Sequence, residues 1–119
     1  MEPHPRTVLI VEDDAGVSRA LSRAIRSLGY RVCAFESGEA LLATKVPRLP
    51  ATLLLDLHLP GISGAELIAA LCIWAPELRI IVMTGRDIAA AREACVAAGA
   101  ACYIRKPISR ADLAALLEA

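Results

Sequence analysis

Four short apolar stretches each run into a residue that can do chemistry. "TVLIV" (7–11) meets Glu12, Asp13 and Asp14, "TLLL" (52–55) meets Asp56, "RIIVM" (79–83) meets Thr84, and "CYIR" (102–105) meets Lys106. An acid at the end of an apolar run is costly unless something there uses its charge. Carboxylates gathered from separate strands repel one another. A hard divalent cation resolves the conflict, and Mg2+ takes a few carboxylates and carbonyls while keeping several waters. With a hydroxyl and an ammonium added, the set contains what a phosphoryl group needs: a metal site, a directed donor and a point charge. Eleven of the 13 basic residues are Arg, and the two Lys are Lys45 and Lys106. A chain so biased towards Arg keeps a compact charge at the last strand end, where it suits a phosphoryl oxygen.

Taken singly, each residue has a plainer use. Asp14 suits a helix N-cap, Asp56 a loop acid, Thr84–Gly85 a turn, and Lys106 the surface. The case for chemistry rests on all four strand ends meeting, so the elements that position them decide it.

Strand and helix alternate along the whole chain. The run 7–11 predicts a strand. Val17, Ala20, Leu21, Ala24, Ile25 and Leu28 then trace one face of a helix over 15–28, which Gly29 stops. "YRVCAF" (30–35) predicts a second strand, and "SGEALLATK" (37–45) a short helix opened by a Ser cap. "TLLLD" (52–56) is the third strand, and "SGAE" (63–66) is a capping box leading a helix to about Trp74. Residues 79–84 make the fourth strand, 87–98 a helix stopped by Gly99, 102–105 the fifth strand, and 109–119 a closing amphipathic helix. The first, third and fourth strands are nearly continuous apolar runs, as in a parallel sheet covered on both faces. Right-handed crossovers then give an α/β, doubly wound, five-stranded parallel sheet with five helices, whose site lies beyond the carboxyl ends of its strands.

Composition bounds the rest. At 119 residues, 56% of them hydrophobic, the chain suits one domain with a real core. Thirteen basic and thirteen acidic residues cancel, which gives no electrostatic footprint for nucleic acid or an anionic membrane. No apolar run is long enough for a membrane span, and acids cut off the N-terminal one, so a cytoplasmic location is expected. Cys33, Cys72, Cys95 and Cys102 lack metal-ligand spacing and are expected to be reduced packing residues. In the helix 87–98 only Asp87, Arg92 and Glu93 are charged, so small apolar side chains should be exposed there.

The pieces "LIVEDD", "LLLDLHLPGISG", "IIVMTG" and "YIRKP", in this order and at these intervals, resemble the receiver domain of bacterial two-component response regulators over essentially the whole chain. The resemblance implies the flavodoxin-like strand order 2-1-3-4-5 and one receiver domain over 1–119, any output domain being absent from this chain. It implies that Asp56 accepts a phosphoryl group from a sensor histidine kinase or phosphotransfer protein. Asp13 would bind Mg2+ directly, Glu12 mainly through water, and the His58 backbone carbonyl would be a further ligand beside Asp56. Thr84 would hydrogen-bond the phosphoryl group, Lys106 would pair with it, and Tyr103 would be an aromatic switch residue. The Lys106–Pro107 bond would be cis. Receivers of this kind change partners through the fourth helix, fifth strand and fifth helix, which points to a phosphorylation-dependent dimer or output partner on residues 87–112. His58 and Arg86 stand two residues past Asp56 and Thr84, where they could tune the lifetime of an acyl phosphate. The alternative function is a receiver-like binding module that works without phosphorylation. An aspartyl phosphatase is disfavoured because its general acid would stand where His58 does, and a flavin or nucleotide carrier because "VEDDAG" would repel a cofactor phosphate.

Overall fold

In the computed structural model, residues 6–44, 51–57, 61, 63–85 and 88–118 are described. Among them the order is β1 (Thr7–Val11), α1 (Ala15–Ser27), β2 (Arg31–Phe35), α2 (Gly38–Leu42), β3 (Ala51–Asp56), α3 (Gly64–Trp74), β4 (Arg79–Thr84), α4 (Ala89–Ala98), β5 (Cys102–Arg105) and α5 (Arg110–Glu118). The strands form one sheet in the order β2-β1-β3-β4-β5, every neighbouring pair parallel.

The two-residue period of a strand divides the core in two. Leu9, Val11, Leu53, Leu55, Ile80 and Val82 face one side, where Leu41 of α2, Leu67, Ile68 and Leu71 of α3 and Cys95 of α4 cover them. Val8, Ile10, Leu54, Ile81 and Met83 face the other, under Leu21 and Ile25 of α1 and Leu113 and Leu117 of α5. The central strands β1, β3 and β4 are therefore almost wholly buried, whereas the edge strand β2 is mostly exposed or half-buried. Register carries the strand ends to one edge: Val11 lies opposite Leu55, Asp56 opposite Met83, and Thr84 opposite Arg105.

Helix starts follow the predicted caps. Asp14 accepts from the Val17 N–H at 3.0 Å, Ser37 from Ala40 at 3.0 Å, and Ser63 from Glu66 at 3.2 Å. Gly29 and Gly99, at φ 96° and 123°, end α1 and α4 in the left-handed region that Gly enters freely.

Three expectations change. The helix expected over 37–45 is only Gly38–Leu42, because its C-cap Ala43 and Thr44 already turn back on Glu39 and Leu41. The helix expected from 87 is assigned from Ala89, with Ile88 as an N-cap lacking a side-chain cap bond, and Asp87 lies outside the described residues. The cysteines are all free, but only Cys95 is buried and Cys102 half-buried. Cys33 is exposed on the edge strand, and Cys72 is exposed beside the end of α4, its Sγ donating to the Ala98 carbonyl at 3.5 Å. No helix among the described residues is long and apolar enough to cross a membrane.

Candidate functional site

Each site residue is placed by the end of a strand. Beyond β1 the Glu12 N–H still bonds the Phe35 carbonyl at 3.0 Å, so the backbone stays tied to β2 while the side chain turns inward and is 2% exposed. Asp13 is exposed, and Asp14 is spent on the α1 cap. Asp56 ends β3 with 4% of its surface exposed, and the Leu57 N–H continues the ladder to Met83 at 2.9 Å. Thr84 ends β4 fully buried, and its carbonyl accepts from the Lys106 N–H at 2.7 Å. That bond brings Lys106 back over the sheet edge after β5. The Lys106–Pro107 bond is cis.

These placements bring Glu12, Asp13 and Asp56 together, with one carboxylate oxygen of each within 4.8 Å of the others. Lys106 Nζ contacts Glu12 Oε1 and lies 3.4 Å from Asp56 Oδ2, so one ammonium bridges two buried carboxylates. One positive charge cannot balance two buried negative ones. Burial first, then the Asp56 carboxylate beside it, together raise the Glu12 pKa to about 7, with Lys106 only partly opposing them. Burial would lower the Lys106 pKa, but the bond to Glu12 and the negative charges of Asp56 and Glu12 outweigh it, leaving the ammonium more firmly protonated than usual. Glu12 therefore holds its proton to higher pH than an ordinary carboxyl. An all-oxygen donor set short of positive charge is what a hard divalent cation fits.

Of the residues singled out in the sequence, Glu12, Asp13, Asp56 and Lys106 form one cluster, and Thr84 is joined to it through the Lys106 backbone. Tyr103 sits apart from the acids, opposite Val82 in β5, half-buried against the α2–α4 side of the core. Its hydroxyl is buried without a hydrogen-bond partner among the described residues, and the Arg92 guanidinium lies over its ring, 5.3 Å from the centroid. His58 and Arg86 lie outside the described residues. Sequence reasoning saw Arg92 only as a charge on α4, and it missed a contact between Glu39 and Gly61. Both are contacts between different elements, and no local pattern announces them.

An open parallel sheet in this order, with acids at the carboxyl ends of β1 and β3, defines the class: a doubly wound, flavodoxin-like α/β domain with its site at the strand ends. The profile of the response regulator receiver domain matches residues 8–118, and the chain belongs to that family. It is similar to the photosynthetic apparatus regulatory protein RegA of Rhodobacter capsulatus, 35% identical over 91% of this chain and 59% of that one. It is also similar to the DNA-binding transcriptional regulator NtrC of Salmonella typhimurium, 32% identical over 93% of this chain and 24% of that one. The chain therefore spans about a quarter to three fifths of these relatives. Among solved structures, the receiver domain of sensor histidine kinase PA1611 from Pseudomonas aeruginosa, with a magnesium ion in its active-site cleft, superposes with a TM-score of 0.83 at 29% identity, covering 96% of this chain and 95% of that one. A response regulator from Burkholderia pseudomallei with a phosphorylated aspartic acid, calcium and citrate gives a TM-score of 0.81 at 29% identity, covering 95% and 71%.

Proposed function

We propose that this receiver domain is a phosphorylation-dependent signalling switch, with Asp56 the phosphoacceptor and a phosphohistidine of a sensor kinase or phosphotransfer protein the donor. The observation that carries this reading is the cluster itself: two buried carboxylates bridged by a single ammonium, with an exposed third whose oxygen lies within 4.8 Å of theirs. Glu12, Asp13 and Asp56, with the His58 carbonyl expected to join them, would hold Mg2+. When bound, that ion supplies charge neutralisation for the incoming phosphoryl group.

A carboxylate is a weak nucleophile, so this chain's own contribution is positioning and charge. Asp56 is fixed by the β3 ladder at the sheet edge. One of its carboxylate oxygens forms the new O–P bond while the donor P–N bond breaks, and the released imidazole nitrogen is left to take up a proton. Lys106, already 3.4 Å from Asp56 Oδ2, is placed to pair with a phosphoryl oxygen. The Thr84 hydroxyl, at the end of the adjacent strand, is the directed donor to another. The relatives with magnesium in the cleft and with a phosphorylated aspartic acid support this assignment by likeness. On the output side, Ala89, Ala90, Ala94 and Ala97 of α4 are exposed, as is Val96. This face and β5–α5 are the surface proposed to change partners on phosphorylation. The test is labelling with acetyl phosphate and Mg2+: one phosphoryl group is expected on the native chain and none on Asp56→Asn.

A further inference from the structure

The short helix α2 carries one charged side chain, Glu39, in its first turn. A Glu there ordinarily serves the helix N-terminus, but a single turn of helix has little dipole to complement. The side chain instead crosses to Gly61, in the connection between Asp56 and α3. A Cβ built on Gly61 would overlap the Glu39 carboxylate, with Oε1 at 3.0 Å and Cδ at 3.1 Å. Gly61 also has φ +87°, a backbone angle that favours glycine, and a new Cβ there would have to push the end of the Glu39 side chain aside. An ionised carboxylate only accepts hydrogen bonds, and beside a bare α-carbon its natural donors are main-chain N–H groups.

The ends of this connection are fixed by other means. Leu57 continues the β3–β4 ladder and packs on Gly64, and Ser63 caps α3. Gly61, five residues past Asp56, is where α2 takes hold of it. We propose that Glu39 is a positioning residue of the phosphorylation site, holding Gly61, five residues past Asp56, against α2. The proposal rests on the reading of Asp56 as phosphoacceptor and of that connection as the source of a carbonyl for Mg2+.

The test uses the full chain with Mg2+ and acetyl phosphate as probes, on Glu39→Gln, Glu39→Ala, Gly61→Ala and the double variant. Mg2+ affinity is read by calorimetry, the labelling rate by intact-protein mass spectrometry, and folding by thermal melts. Glu39→Ala should lower Mg2+ affinity and labelling rate about three- to tenfold. That is less than the roughly 10–100-fold loss typical of an outer-shell partner, because both groups are exposed. Glu39→Gln, which keeps an acceptor oxygen, should recover part of this. Gly61→Ala should lose at least as much, and the double variant should be no worse than Gly61→Ala, because the side chain that collides with the new methyl is gone. Additive losses, or Glu39→Ala with native affinity and rate, would overturn the proposal, as would a lowered melting point without a change in Mg2+ affinity. An unlabelled native chain would overturn the phosphoacceptor reading as well, which separates the two failures.

Discussion

A proton on Glu12 competes with any divalent cation for this site. With Glu12 titrating at about 7, roughly one site in eleven is free of that proton at pH 6 and roughly ten in eleven at pH 8. Apparent Mg2+ affinity should therefore rise about tenfold between pH 6 and pH 8, nearly all of it below pH 7.5. Binding should release close to one proton at pH 6 and almost none at pH 8. Calorimetry in two buffers of different ionisation enthalpy reads both quantities. The slope is assigned by substitution: Glu12→Gln should flatten it. The source of the effect is burial at 2% exposure beside a second carboxylate. An affinity independent of pH, or a slope that survives Glu12→Gln, would refute this reasoning.

The same residue predicts how the metal-free protein responds to pH. A raised carboxyl pKa means that the folded state binds the proton more tightly, so this stabilisation is complete below about 4.5 and is lost as pH rises through about 7. Glu12→Gln should accordingly stabilise the metal-free chain at pH 8 by about 1–3 kcal/mol and leave it little changed at pH 4, measured by urea unfolding; the range allows for the contact that Lys106 loses. Tyr103→Phe removes a buried hydroxyl that lacks a partner among the described residues, so it should be neutral or stabilising by about 1 kcal/mol, and a clear loss would mean the hydroxyl is bonded. Ala94→Glu, at an exposed position of α4, should weaken phosphorylation-dependent self-association or partner binding without altering labelling; Ala91 is half-buried and makes a less clean probe. Sedimentation and partner titration with phosphorylated protein check this, and unaffected binding would place the output face elsewhere.

The sequence made legible what depends on short-range pattern. The apolar runs at 7–11, 52–56 and 79–84 are strands because burial on both faces leaves only Leu, Ile, Val and similar residues suitable, and they appear at those positions to within a residue. Asp14 and Ser63 mark helix starts because capping is local. The meeting of Glu12, Asp13, Asp56 and Lys106 follows from parallel strands alone, since every carboxyl end then falls on one edge. What escaped was set by three-dimensional surroundings. Nothing in "SGEALLATK" shows that α2 closes after Leu42 or that Glu39 reaches Gly61. The exposure of Cys33 follows from β2 being an edge strand, and Cys72 lies at the margin of α3 rather than in its buried stripe. That Glu12 keeps a proton depends on how deeply it turns inward, which "VEDD" cannot disclose.

The central claim is that Asp56 is the phosphoacceptor, and mass measurement of the intact chain after incubation with acetyl phosphate and Mg2+ tests it most directly. The native chain should gain one phosphoryl group, mapped to Asp56 and lost on chelation of the metal before labelling, and Asp56→Asn should gain none. Equal labelling of Asp56→Asn, or a native chain that stays unmodified while its Mg2+ site is filled, would contradict the account.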